Sequence, residues 1–423
     1  MKVLIRFLYT ALLVLVAPAL LYGLFRTRTD KPSVGKRWKE HFGFASKLKS
    51  HSRPVWIHAV SVGETIAATP FIRQLKKRHP DLDILLTTTT PTGAKQAESL
   101  GALVEHRYMP IDFGFAIKKF IAQFNPSQLL IIETELWPNT LHHVNEAGIP
   151  ITLVNARLSE KSCLGYQKIQ PIFNIIKPAL SMILCQYKED AHRFEKLGIA
   201  KSRLHVTGSI KFDINIDPTL HQKAIELRND LGGSRPIWIA ASTHQGEDEI
   251  ILAAHKKLLA KYSNALLIIV PRHPERFNSV FELSKSAGLN THRRTEEQDH
   301  FKSQVYLADT MGEMLLLMQA ADVCFMGGSF LGDKVGGHNM LEPAALGKPI
   351  ISGPSYFNFS EIVQLLKNQN AIEIVNDADS LSLWVDNLFN DKSLYEVMAN
   401  GAYKTICLNK GAIERTINLV FPR

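Results

Sequence analysis

The chain has 423 residues, 45% hydrophobic and 21% charged, which excludes a disordered, collagenous or fibrous protein and leaves room for two domains. Cys163, Cys185, Cys324 and Cys407 are scattered and form no C-x-x-C pair, arguing against a disulfide scaffold or cysteine-built zinc site and for a reducing compartment. The net charge of +9 is local: residues 1–53 hold eleven Lys and Arg against only Asp30 and Glu40, and the remainder is balanced. A nucleic-acid binder would spread positive charge over a working face, so none is expected as a partner. The pattern reads as a protein meeting an anionic surface with its N-terminus.

The first element in chain order is Phe7–Phe25, nineteen residues without a formal charge. As a helix it reaches roughly 28 Å, about the thickness of a bilayer's hydrocarbon core. Arg26, Arg28, Lys31, Lys36, Arg37 and Lys39 follow, against Lys2 and Arg6 before, which places the body of a spanning chain in the cytoplasm. Residues 1–30 are therefore expected to form a membrane anchor with a basic flank. Three other readings stay open: a cleaved signal peptide, a buried helix interrupted by Pro18 and Gly23, and a helix lying in the membrane interface beside Tyr9 and Tyr22.

Beyond a basic connector, short apolar runs alternate with amphipathic stretches. Strands are expected at Val55–Val60, Ile84–Thr88, Leu129–Ile132, Ile151–Asn155 and Met182–Cys185, with helical patterns such as Thr65–Arg78 between them. The rhythm lapses at Phe212–Pro218, then resumes with strands at Ile237–Ala241, Leu266–Val270, Val305–Leu307, Val323–Met326, Pro349–Ile351 and Ile372–Val375. The expected fold is α/β, two parallel-sheet domains (31–215 and 216–423, the last helix a candidate to return to the first) facing a cleft. Ligands in such sheets bind outside the carboxyl ends of the strands.

The polar clusters fall at those ends. Ser61-Val62-Gly63-Glu64-Thr65 puts Glu64 in the first turn of a helix, as a capping carboxylate or a general base for an acceptor hydroxyl. Glu133-Thr134-Glu135-Leu136-Trp137 sets two carboxylates beside a Trp, an arrangement that asks for cationic partners, with Arg157 and Lys211 the candidates. No nearby His or Asp completes a metal-ligand set around Glu133 and Glu135. Thr207-Gly208-Ser209-Ile210-Lys211 offers a cation for a phosphate, with Ser209 beside it, although most single lysines are merely surface residues.

In the second half, Ser242-Thr243-His244 and Pro271-Arg272-His273 each follow a strand, and Arg272 presents a donor fork suited to phosphate or carboxylate. Met311-Gly312-Glu313 opens a helix. Gly327-Gly328-Ser329 follows another strand, and Gly336-Gly337-His338-Asn339-Met340-Leu341-Glu342 opens another helix; such glycines let backbone N–H groups close on an anion. The pattern is neither a G-x-G-x-x-G fingerprint nor a P-loop.

With these residues the sequence resembles the 3-deoxy-D-manno-octulosonic acid (Kdo) transferases of lipopolysaccharide assembly. The likeness runs along nearly the whole chain, through SVGET (61–65), TPTGA (90–94), ETELWPN (133–139), NARLS (155–159), TGSIKFD (207–213), STH (242–244), PRHPERF (271–277), DTMGE (309–313), GGS (327–329) and GGHNMLEP (336–343). It implies the two-Rossmann glycosyltransferase architecture called GT-B. It also implies transfer of Kdo from CMP-Kdo to lipid IVA at the cytoplasmic face of the inner membrane, with anionic lipids as further partners. On this resemblance Glu64 is the base, and Glu133 and Lys211 stabilise the reacting centre. Pro271, Arg272, Met311, Gly312, Glu313, Asn339, Met340, Leu341 and Glu342 meet the donor, and Ser209, Ser242, His244, Gly328 and Gly337 are further contacts. Between the glycine clusters, residues 330–335 depart from the family pattern and carry no assigned contact. With one phosphate in the donor and Arg272 and Lys211 to meet it, no metal or other cofactor is expected. A nucleotide-sugar epimerase of similar fold and a membrane-anchored nucleotide-binding protein without catalysis are the alternatives; neither an apolar N-terminus nor an intact set of carboxylates suits them equally well.

Overall fold

A computed structural model describes residues 2–25, 34–49, 52–296 and 300–422. The chain divides into two units, Met1–Asp213 with Lys410–Arg423, and Ile214–Asn409. The first holds β1 (Val55–His58), β2 (Ile84–Thr88), β3 (Glu105–Tyr108), β4 (Gln128–Ile132), β5 (Ile151–Ala156), β6 (Leu180–Cys185) and β7 (Leu204–Val206), in the order β3-β2-β1-β4-β5-β6-β7. All its pairings are parallel, with Val55 flanked by Ile84 and Gln128. The second holds β8 (Ile237–Thr243), β9 (Leu266–Pro271), β10 (Thr291–Arg293), β11 (Val305–Leu307), β12 (Val323–Met326), β13 (Ile350–Ser352) and β14 (Ile372–Ile374), in the order β10-β11-β9-β8-β12-β13-β14, also parallel.

Helices cover both faces of each sheet, so the central strands are buried throughout: VWIH in β1, LLII within β4 and IWIAA in β8 have no solvent-facing side. Each such Leu or Ile contributes about 1.5–3 kcal/mol by leaving water. Three strands have no counterpart among the predicted runs: β3, β7 and β10, read EHRY, LHV and THR. Each lies at a sheet edge with a neighbour on one side only, where burial does not demand an unbroken apolar run.

Strand order reverses at two places that matter. In the first sheet β1 and β4 are neighbours whose connections leave in opposite directions, and in the second β8 and β12 are the corresponding pair. Those are the topological switch points, where the crevice of a parallel sheet opens. Glu64 follows β1, Glu133 follows β4, Ser242 closes β8 and the Gly327–Ser329 segment follows β12.

The N-terminal helix runs Lys2–Phe25. Among the described residues no helix is long and apolar enough to cross a membrane, so the expected anchor receives no structural support; Arg26, Arg28 and Lys31 of its basic flank lie outside the described residues. The helix is instead tied to the first unit. Tyr9 Oη donates to Asp112 Oδ2 at 2.9 Å, and Asn139 Nδ2 donates to Thr10 Oγ1 at 3.1 Å. Asp112 is buried and also accepts the Asn139 and Thr140 N–H groups at the start of the Pro138–Glu146 helix. Val3, Leu4, Phe7, Leu8, Leu12, Val14 and Leu15 stay exposed.

The final helix, Ala412–Val420, belongs to the first unit. Asp213, the last residue before the second unit, accepts N–H groups of Gly411 and Ile413 at that helix's N-terminus, and Arg415 Nε donates to Thr207 O at 2.7 Å. A carboxylate there meets both unpaired amides and the positive end of the helix dipole.

Candidate active site

In the first unit, Ser61 caps the Val62–Arg78 helix, its Oγ accepting the Glu64 N–H at 3.3 Å. The Glu64 carboxylate turns back on the same junction: Oε2 accepts the Val60 N–H at 2.7 Å and Oε1 the Ser61 hydroxyl at 3.0 Å. The capping role is therefore real. It does not exhaust the residue, because burial, helped by the negative charges of Glu133 and Glu135 and opposed by the two hydrogen bonds, pushes the carboxyl up to about 7. One geometry thus fixes the carboxylate's orientation and makes it a stronger base than a surface glutamate.

Glu133 stands just past β4 with φ +62°, a left-handed backbone that a glutamate rarely adopts. Its N–H is tied to Val154 O at 2.8 Å, and its Oε1 accepts from Lys211 Nζ at 2.8 Å. Lys211, one of the two expected cationic partners, is thus paired with Glu133. Glu135 is raised by burial and by the Glu133 charge, against a hydrogen bond from Trp137. Val62, Ile66 and Trp137 remain exposed on these same segments. Lys211 lies in the Ile210–Phe212 turn, whose outer residues sink into the core while the lysine emerges. Ser209 precedes that turn and is buried. The structure thus brings Glu64, Glu133 and Lys211 together, with Glu135 as a third carboxylate.

In the second unit the ladder between β8 and β9 slips after Ala241, and Ser242 takes φ +58° there. Gly327 makes the neighbouring approach possible: a Cβ on it would sit 2.7 Å from Ser242 O and 2.9 Å from Thr243 Cα. The glycine segment does not wait for an external anion. Gly328, Ser329 and Phe330 all donate their N–H groups to the wholly buried Glu247 at 2.6, 2.8 and 2.9 Å, and the His244 N–H joins them at 3.0 Å. Gly337 N–H is likewise spent on Gly328 O at 2.9 Å. The amides of Gly328 and Gly337, expected as further donor contacts, are held in this structure by an internal carboxylate and a carbonyl.

Pro271 is buried at the end of β9, and Arg272 is exposed immediately after it, its N–H on Thr243 O at 3.0 Å. His244 Nε2 and His338 Nε2 are 2.8 Å apart with stacked rings, and His273 meets His244 edge-on. Burial, with the neighbouring His244 and Arg272, pushes His338 down to about 4, and burial lowers His244 as well. Asn339 Nδ2 donates to Glu342 Oε1 at 3.3 Å; burial raises Glu342 while Asn339 and Arg272 oppose the rise. Met340 and Leu341 are core residues, so only their backbone can meet a ligand. Met311 is exposed and Gly312 has φ +87°. Glu313 is engaged by Arg294, with Nη2 to Oε1 at 3.0 Å, and by the Thr310 hydroxyl. Arg294, Glu247 and His338 carried no individual expectation. Their contacts depend on partners distant in sequence, Glu313, Gly328 and His244, and local motifs hold no signal of them.

One group among the described residues has a metal-ligand character: His142, His143 and Glu146, whose donor atoms lie within 4.8 Å of one another. It occupies the end of the Pro138–Glu146 helix, and the positive charges of Arg6 and Lys118 reach both histidines and oppose a cation there.

Comparison with known proteins bears on the chemistry. A family model described as 3-deoxy-D-manno-octulosonic-acid transferase matches residues 36–214, and one described as glycosyl transferases group 1 matches residues 240–405. A 3-deoxy-D-manno-octulosonic acid transferase of Haemophilus influenzae is 42% identical over 99% of this chain and 98% of its own. Among solved structures, the C-terminal CMP-Kdo binding domain of WaaA from Acinetobacter baumannii is 38% identical, covering 45% of this chain and 99% of its own, with a TM-score of 0.43. A UDP-GlcNAc 2-epimerase from Neisseria meningitidis is 15% identical over 88% of this chain and 100% of its own at a TM-score of 0.58, a likeness of fold alone.

Proposed function

The chain belongs to the 3-deoxy-D-manno-octulosonic acid (Kdo) transferases, glycosyltransferases that move Kdo in lipopolysaccharide biosynthesis, and we propose that it takes Kdo from CMP-Kdo to lipid IVA with Glu64 as the general base. The observation that supports the base is a half-buried carboxylate at a switch point, raised to about 7 and held in one orientation by Val60 and Ser61. A carboxyl with that affinity for protons takes one from an acceptor hydroxyl more readily than an ordinary glutamate. CMP leaves as a stabilised phosphate monoester, so the acceptor oxygen displaces it directly, with inversion at the anomeric carbon. Lys211 and Glu133 form a charge-balanced pair that stabilises the oxocarbenium-like centre, and Arg272 meets the departing phosphate. Asn339, Glu342 and the His244–His338 pair offer hydrogen bonds to the nucleotide and sugar.

The exposed Val62, Ile66 and Trp137 suit an acylated acceptor. The exposed apolar side of the N-terminal helix suits attachment to anionic lipids of the inner membrane, lying on the surface and held to the body through Tyr9 and Thr10. Flotation with phosphatidylglycerol vesicles tests that attachment, and loss of flotation on deleting residues 2–25 is the expected result. The transfer itself is tested by incubating the protein with CMP-Kdo and lipid IVA and weighing the product by mass spectrometry. Absence of a Kdo adduct refutes the donor–acceptor assignment, and wild-type turnover by Glu64→Ala refutes the base. The reaction is proposed to need no metal, so turnover is expected to survive a chelator.

A further inference from the structure

The NARLS motif, residues 155–159, has no part in the chemistry above, yet its first residue is in an unusual state. Along β5 and β6 the ladder slips: Leu153 faces Ile183, while Ala156 faces Cys185. The extra residue makes a bulge, a device that re-aims chain next to active sites. Asn155 lies in it with φ +59°, a conformation few residues other than glycine tolerate, asparagine being one. Its side chain is wholly buried. The Oδ1 accepts the Ile210 N–H at 3.1 Å, and the backbone carbonyl accepts from Gln186 Nε2 at 2.9 Å. The Nδ2 is buried and has no hydrogen-bond partner among the described residues. A left-handed backbone and an orphaned amide are both unfavourable, and folds keep such features where something else requires them.

What the Oδ1 secures is the Ile210–Phe212 turn. Ile210 and Phe212 are buried on either side of Lys211, and Asp213 ties the far end of the turn to the N-terminus of the Ala412–Val420 helix. Asn155 supplies the near-side tie. From that turn Lys211 reaches Glu133, 78 positions away, at 2.8 Å. We infer that Asn155 is a positioning residue: its side-chain oxygen holds the Ile210–Phe212 turn where Lys211 Nζ lies against Glu133. The inference rests on the roles proposed above for Lys211 and Glu133.

The test uses the full-length chain with Asn155→Gly, Lys211→Ala and the double variant. Glycine adopts positive φ without strain and removes the orphaned amide, so the fold is expected to survive, with its melting temperature lowered only by the one hydrogen bond that the Ile210 N–H loses. Turnover with CMP-Kdo and lipid IVA is expected to fall about tenfold in Asn155→Gly, as for one lost hydrogen bond, and about a hundredfold in Lys211→Ala. In the double variant, loss of Asn155 is expected to add nothing, because the residue acts through Lys211. A crystal structure of Asn155→Gly is expected to show Nζ moved from 2.8 Å to beyond the about 4 Å of an ion pair. Equal losses in the wild-type and Lys211→Ala backgrounds, unchanged turnover of Asn155→Gly, or an intact 2.8 Å pair in that variant overturns the inference. Wild-type turnover by Lys211→Ala refutes the role of Lys211 itself, a failure distinct from a defective Lys211→Ala beside a normal Asn155→Gly.

Discussion

Replacing Glu64 by Gln should harm catalysis and help folding, and the two effects have one cause. The carboxyl's ordinary value of 4.5 rises to about 7 in the folded chain, which corresponds to about 3 kcal/mol of preference for the protonated form. The group is partly exposed, and screening reduces this to about 2 kcal/mol. The sign follows from linkage: the folded value lies above the unfolded one, so the wild type carries no penalty below pH 4.5. It loses stability as the pH rises toward 7 and carries the full penalty above. Glutamine does not titrate. It does give up one of the two hydrogen bonds from Val60 and Ser61, a loss that is the same at every pH. The difference between melting curves at pH 4.5 and pH 8 therefore isolates the titration: relative to wild type, Glu64→Gln should gain about 2 kcal/mol between those pH values, or about 4–8 °C in the transition of the first unit. Turnover should fall about 10²–10⁴-fold, the range of a lost general base, and the acidic limb of the wild-type rate profile, expected near pH 7, should disappear. Parallel melting curves for the two proteins at both pH values would show that Glu64 ionises as an ordinary glutamate and refute the reasoning.

Glu247→Ala should destabilise the second unit by about 3–5 kcal/mol, since four backbone N–H groups lose a buried acceptor; urea unfolding followed by fluorescence checks this, and a change below about 1 kcal/mol would contradict the buried cradle. Arg272→Ala should raise KM for CMP-Kdo at least about tenfold while leaving the melting temperature unchanged, because the side chain is exposed and its proposed role is to meet the donor's phosphate rather than to pack. Steady-state kinetics at varied donor decide that. Tyr9→Phe removes only the hydroxyl that bonds Asp112 and should cost about 1 kcal/mol. Faster amide exchange at the start of the Pro138–Glu146 helix is the accompanying signature.

Much of the architecture was legible before any coordinates. The apolar runs Ile84–Thr88, Val305–Leu307 and Val323–Met326 coincide with β2, β11 and β12, because a central strand of a parallel sheet is buried on both faces and must be apolar without interruption. The edge strands β3, β7 and β10 escaped that rule. One helix start was legible for a similarly local reason: the Ser61–Thr65 run placed Glu64 in a first turn, where the structure has it. Glu64 shows where local reading stops. Its place in a first turn was evident, but the elevation on which its proposed role as base rests comes from burial and from Glu133 and Glu135, some seventy residues on.

The glycine segments show the same division. Gly327-Gly328-Ser329 was expected directly after a strand, and it follows β12. Which acceptor closes on the Gly328 amide depended on a contact across 81 positions, to Glu247, and neither spacing nor composition separates that carboxylate from Asp248 or Glu249 beside it. Pairing of Lys211 with Glu133, the strained bulge at Asn155 and the docking of Tyr9 on Asp112 are contacts of the same kind. Periodicity, caps and turns follow from interactions within a few residues, so the order of elements and the strand ends that carry the candidate residues were written in the chain. Partners, burial and proton affinity arise only when sheet order brings distant strand ends side by side, and tertiary structure alone decided those.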